Sequence, residues 1–120
     1  LLTVRGLIFD TAANDARIGP IVESLKWGQP SYVSAAKTGT AIRLGVPRAG
    51  GMAIYTHCQT TVMSELRAVV SPDIKFDGNR ALLLDLERPL PILEIGVLVR
   101  AALTYYLKTD GRGPKDNNKL

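Results

Sequence analysis

The chain has 120 residues and a mass of 13.0 kDa, which fits one compact domain and excludes a two-domain enzyme. Its 46% apolar and 22% charged residues match a globular composition and exclude a disordered, charge-rich chain. The net charge is +4, but Lys108 to Leu120 carry half of that surplus, so the body is close to balance and argues against a nucleic-acid surface, which needs clustered basic residues.

The chain opens with Leu1, Val4, Leu7 and Ile8 at helical spacing. After the polar break at Asn14-Asp15, Ile18, Ile21, Val22 and Leu25 repeat that spacing and predict a second helix, with Pro20 in its first turn and Gly28 and Pro30 ending it. The period then becomes alternating. Ser31 to Ala36 predicts a strand, and Ile42, Leu44 and Val46 point to one side of the next while Ala41, Arg43 and Gly45 point to the other. Pro47 to Gly51 reads as a turn into a further strand, on which Met52, Ile54, Thr56 and Cys58 share a face opposite Ala53, Tyr55 and His57.

A helix is predicted over Thr61 to Val70, with Val62, Met63, Leu66, Val69 and Val70 on one side, Thr60 or Thr61 at its cap and Pro72 beyond it. Ile74 to Asp77 and Ala81 to Leu86 flank Asp77-Gly78-Asn79, which suits a hairpin turn. Pro89 and Pro91 precede a last helix whose buried side holds Ile92, Ile95, Val99, Ala102, Leu103 and Tyr106, leaving Val97, Leu98 and Tyr105 as a candidate homodimer patch. Residues 108–120 read as a flexible basic tail, so the domain occupies residues 1–107. The expected fold is α+β: a two-layer sandwich in the order α-α-β-β-β-α-β-β-α, with helices on one face of a mainly antiparallel sheet of about five strands.

A single cysteine, Cys58, allows no internal disulfide and fits a reducing cytoplasm. Glu94, Gly96 and Arg100 break the longest apolar stretch, so no membrane segment is expected, and no charged stretch leading into an apolar run marks a signal peptide.

Catalytic signatures are weak. Ser34-Ala35-Ala36-Lys37 and Lys37-Thr38-Gly39 match the serine–lysine and lysine–threonine–glycine patterns of penicillin-recognising enzymes, but one lysine would have to serve both, and a polar turn explains the same residues. His57 and Cys58 are adjacent on a strand and point to opposite faces, so they form no nucleophile–base pair, and zinc would need more ligands than these two supply. No enzyme activity is expected. Asp10, Asp15 and Glu23 are the alternative metal-ligating set, for a hard cation or iron.

The segment Lys26-Trp27-Gly28-Gln29-Pro30-Ser31-Tyr32 has two readings. Trp27 anchors a helix-to-strand corner with Tyr32 packed behind it, or Trp27 and Tyr32 wall a pocket in which Lys37, Arg43 or Arg80 meets an anion. With helices over the Ile42 face, Arg43, Tyr55 and His57 mark the open sheet face. Gln59, Thr60 and the backbone N–H groups after them suit an anion at a helix start.

Four segments together resemble the YdhG-like domain family of bacteria over about residues 3 to 107: Leu25 to Tyr32, Lys37 to Leu44, Tyr55 to Thr61 and Phe76 to Arg80. The resemblance implies a compact two-layer α/β domain. Members are often described as frataxin-like iron chaperones, which implies ferrous iron as an alternative ligand, held by acidic residues. The expectation is a small cytosolic, non-enzymatic binding domain whose partner is a small anionic ligand or another protein.

Overall fold

The computed structural model describes residues 2–47, 50–57, 59–85 and 87–107. In chain order they form α1 (Leu2–Ala13), β1 (Ile21–Lys26), β2 (Gln29–Ser34), β3 (Ile42–Gly45), β4 (Met52–Tyr55), α2 (Val62–Val69), β5 (Lys75–Asp77), β6 (Ala81–Leu84) and α3 (Ile92–Leu103). All strand pairs are antiparallel, and the sheet runs β1-β2-β3-β4-β6-β5. This is an α+β fold with its helices on one side of an open sheet. No described helix is long and apolar enough to cross a membrane.

Alternation divides the sheet residues between two faces. Tyr32, Ile42, Leu44, Met52, Ile54, Leu82 and Leu84 turn inward, where Val4 and Ile8 of α1, Val62, Met63 and Leu66 of α2, and Ile95, Leu98 and Val99 of α3 complete one buried cluster. Each fully buried Leu, Ile or Val side chain contributes roughly 1.5–3 kcal/mol relative to exposure. This apolar layer backs the sheet beneath the site described below.

The second predicted helix is a strand. Residues 21–26 pair along their length with residues 29–34, from Ile21 opposite Ser34 to Lys26 opposite Gln29. Ile18, Ile21, Val22 and Leu25 do carry helical spacing, but β-branched Ile21 and Val22 also suit a strand, and the pairing available through a two-residue turn decides between the two. That turn is Trp27-Gly28, with φ of 52° and 79°. Positive φ at both central residues is the type I′ geometry, whose twist matches that of the flanking strands. Six strands therefore replace the expected five, and Pro20 precedes an edge strand instead of opening a helix.

The Lys37-Thr38-Gly39 segment closes the end of α3. The Thr40 N–H donates to the Ala102 carbonyl at 2.9 Å, and Thr38 Oγ1 donates to the Leu103 carbonyl at 2.7 Å. These donors satisfy carbonyls that a helix end leaves without an intrahelical partner. Gly39 permits the approach: a Cβ there would lie 2.0 Å from the Ala102 oxygen.

Helix faces differ from the expected ones in three places. Leu98 is fully buried in the core, so it cannot join Val97 and Tyr105 in a surface dimer patch. Ile92 and Tyr106 are exposed instead of buried, because α3 packs against both α1 and α2 and its buried stripe runs through Ile95, Leu98, Val99, Ala102 and Leu103. Val69 is exposed at the end of α2, beyond the packed stripe of Val62, Met63 and Leu66. The hairpin expected at Asp77-Gly78-Asn79 joins β5 to β6, with Gly78 at φ 55°. The strand face expected for Cys58, the middle of the turn from Pro47 to Gly51, the strand end at Leu86 and the tail of residues 108–120 lie outside the described residues.

Candidate functional site

Opposite the helices, the sheet carries an open face on which Ser31, Arg43, Tyr55 and Ala81 stand in one register row across β2, β3, β4 and β6. Arg43 is thus placed directly beside Tyr55, where cross-strand neighbours interact most strongly. The β1–β2 turn brings Trp27 to the same side, and the Thr56 N–H bonds the Arg80 carbonyl at 2.9 Å, which fixes Arg80 next to Tyr55.

These residues form an alternating row of rings and guanidiniums. Arg43 Cζ lies 5.5 Å from the Trp27 ring centroid and 5.7 Å from that of Tyr55, and Arg80 Cζ lies 5.7 Å from Tyr55 on its own account. Each contact is within the reach of a cation–π interaction. Arg80 also has a long ion pair with Asp77 at 3.5 Å, whereas none of the described carboxylates pairs with Arg43. A guanidinium lying over a ring keeps its N–H edge free for a carboxylate or phosphate.

A cavity of about 550 Å³ opens on this row, within the size range of small-molecule sites. Trp27 and Gln29 line it from the first hairpin, Arg43 from β3, Tyr55, Thr56 and His57 from β4 and its exit, and Arg80 from the β5–β6 turn. Gly45 makes room for two of them: a Cβ there would lie 2.7 Å from Gln29 Nε2 and 3.0 Å from Tyr55 Cε2. Buried Thr56 has a hydroxyl with no hydrogen-bond partner among the described residues. His57 is exposed, and its Nδ1 accepts the Gln59 N–H at 3.1 Å, so the neutral ring carries its proton on Nε2.

Trp27 fits neither a corner anchor nor a core residue. It is 88% exposed and its φ of 52° lies in the left-handed region, where a bulky side chain is rare and costs energy. Its ring contributes almost nothing to the core.

The structure thus gathers Trp27, Arg43, Tyr55, His57 and Arg80 at one cavity, and leaves four other candidate residues away from it. Tyr32 is only 2% exposed and lies on the helix side of the sheet, edge-on to Phe9 at 6.1 Å. Burial pushes its phenol up to about 12, and its hydroxyl bonds Glu23. Its register sets the face: Tyr32 stands opposite inward-facing Ile42, and Ser31 opposite outward-facing Arg43. Lys37 is exposed on the connection that closes α3. Gln59 and Thr60 shape the start of α2, and three amides there are taken within the protein: Gln59 N–H by His57 Nδ1, Thr60 N–H by the His57 carbonyl at 3.0 Å, and Thr61 N–H by the Tyr105 hydroxyl at 3.2 Å.

The alternative metal set is not a cluster either. Arg5 grips Glu23 through two hydrogen bonds, of 2.7 and 3.0 Å, and with the Tyr32 hydroxyl holds its carboxyl at about 2. Arg17 does the same for Asp15, which is also near 2, with Arg100 a further 3.8 Å contact. Asp10 is exposed on α1. Among the described residues, no three His, Cys, Asp or Glu side chains come together as a metal-holding group.

Gln29 and Thr56 are the lining residues that sequence patterning passes over. Gln29 was legible in principle, because it continues the outward alternation of Ser31 by one step, but reading Gly28 and Pro30 as a helix stop hides that strand position. Comparison with protein-family models, with curated proteins and with solved structures gave no match.

Proposed function

We propose that this chain is a non-enzymatic binding domain whose open sheet face takes a small anionic ligand. One observation carries the reading: Trp27, a large ring that buries almost nothing and occupies a costly backbone conformation, lies against Arg43, a cation with no carboxylate partner among the described residues. A surface feature whose cost exceeds its packing return suits a contact made with something else. Arg43 and Arg80 supply charge, Gln29 and His57 supply polar groups, and Trp27 and Tyr55 supply apolar wall.

The family resemblance supports the same reading. Each of the four segments that carry it delivers at least one residue to the cavity: Trp27 and Gln29, then Arg43, then Tyr55 to His57, then Arg80. A YdhG-like assignment would make this face the shared element of the motif set. The iron-chaperone alternative gains nothing from Asp15 and Glu23, whose charges are already matched by arginines. The single cysteine fits a cytoplasmic setting.

The test is calorimetric titration of the protein with a panel of small carboxylates and phosphates, alongside ferrous iron under nitrogen. Binding of an anion that Arg43→Ala abolishes, in a variant with an unchanged melting temperature, supports the reading. Saturable ferrous iron binding that Arg43→Ala leaves intact, with no anion bound, defeats it.

A further inference from the structure

The contents of the cavity narrow the ligand class, on the premise that the face binds an anion. We infer that the ligand combines a planar aromatic ring with a phosphate, as a nucleoside monophosphate does. Trp27 has most of its surface free although Arg43 lies over its ring, so it can offer a flat apolar platform at the rim. A purely aliphatic dicarboxylate would leave that platform in water. A planar ring laid on it gains stacking that does not depend on which base is present.

The charged half of the site lies further along the same row. Arg43 and Arg80 both approach Tyr55; Arg43 has no carboxylate partner among the described residues, and Arg80 holds only a long pair, 3.5 Å from its Nε to Asp77, which an anion can replace. Two forked donors suit the several oxygens of a phosphate, which accepts bidentate bonds from each. Ring platform and guanidiniums belong to one cavity of about 550 Å³, room for one nucleotide.

A longer single strand fits less well. Binding a polymer needs a basic groove that follows the backbone beyond one residue, and the chain outside its last thirteen residues carries a surplus of only two positive charges. The hollow at the C-terminal end of β6 is lined by Asp85 and Glu87 as well as Lys75, so it offers a phosphate chain no positive track of its own.

The experiment titrates the intact protein by calorimetry with adenosine monophosphate, adenosine, ribose 5-phosphate, succinate and a ten-nucleotide oligothymidylate. The expected result is that adenosine monophosphate binds at least ten-fold more tightly than adenosine, ribose 5-phosphate and succinate, and that the oligonucleotide gains nothing per site. Trp27→Asn should then bring adenosine monophosphate down to the affinity of ribose 5-phosphate, and Arg43→Ala should abolish both. Trp27→Ala serves as a second probe of the platform if the asparagine variant misfolds. Succinate binding as tightly as the nucleotide overturns the nucleotide assignment and leaves the anion site standing. Tighter binding of the oligonucleotide overturns it in favour of a single-strand surface. Silence from every anion removes both the assignment and the site beneath it.

Discussion

The guanidinium of Arg43 lies over the ring of Trp27, 5.5 Å from its centroid, and so ties the tip of the first hairpin to the third strand. The contact is exposed, so it is worth about 0.5–1 kcal/mol. Against it stands the left-handed backbone of Trp27, which costs an ordinary residue roughly 1–2 kcal/mol. Asparagine tolerates that conformation and, followed by glycine, is a preferred type I′ turn. Trp27→Asn should therefore leave the melting temperature unchanged or raise it by a few degrees while weakening ligand binding to what the charged half of the site supplies alone. Calorimetric melting of the two proteins checks this. A clear fall in melting temperature would make Trp27 a structural anchor after all.

Gly45 tests the cavity from beneath. Its missing Cβ leaves the space that Gln29 and Tyr55 occupy. Gly45→Ala should displace the flexible end of Gln29 and press on the Tyr55 ring, weakening ligand binding several-fold at a stability cost of about 1–2 kcal/mol. Proton chemical shifts of the Tyr55 ring, with a titration of the variant, provide the readout. If binding is unchanged while those shifts move, Tyr55 is not part of the binding surface.

Much of this face was legible because strand alternation is a local property. Arg43 among Ile42 and Leu44, and Tyr55 beside Ile54, mark an outward side by alternation alone, whereas the nearness of Arg80 follows from the pairing of β6 with β4. The first hairpin was not legible in the same way. Ile18, Ile21, Val22 and Leu25 satisfy a helical period by coincidence of spacing, and a tryptophan is the last residue expected at a positive φ, so the turn carried no usual signature. A helix over residues 18–25 removes the hairpin partner of residues 29–34, so the inward place of Tyr32 opposite Ile42 stays hidden and a pocket wall remains one of its two readings. The role of Lys37-Thr38-Gly39 was hidden for a different reason: its partners are the carbonyls of Ala102 and Leu103, more than sixty residues along the chain.

Gly39 gives the sharpest stability prediction. A methyl group placed there meets backbone atoms of Ala102 and Leu103 at 2.0 to 2.5 Å, and none of these is the end of a flexible side chain. Gly39→Ala must push the β2–β3 connection off α3 and break the bonds from Thr38 and Thr40 to its last carbonyls. The expected loss is about 2–4 kcal/mol, from overpacking together with buried hydrogen bonds. Urea unfolding measures it. A loss below about 1 kcal/mol would mean that the α3 end can shift without penalty.

Acid should destabilise the domain through Asp15 and Glu23. Each carboxyl is held at about 2 in the fold, chiefly by the hydrogen bonds of Arg17 and Arg5 respectively, against ordinary values of 3.8 and 4.5. The folded values are the lower ones, so the unfolded chain takes up protons first as pH falls. The stabilisation they give is complete above the ordinary values and drains away as pH drops through the window from about 4.5 to about 2. Asp15→Asn and Glu23→Gln cannot titrate, so each should be less stable than the parent at pH 7 and should lose less stability on acidification. Urea unfolding at several pH values between neutrality and 2.5 compares the three slopes. A gap between parent and variant that stays constant across that range would show that these pairs contribute through shape alone, because a charge contribution has to vanish once the unfolded and folded carboxyls are both protonated.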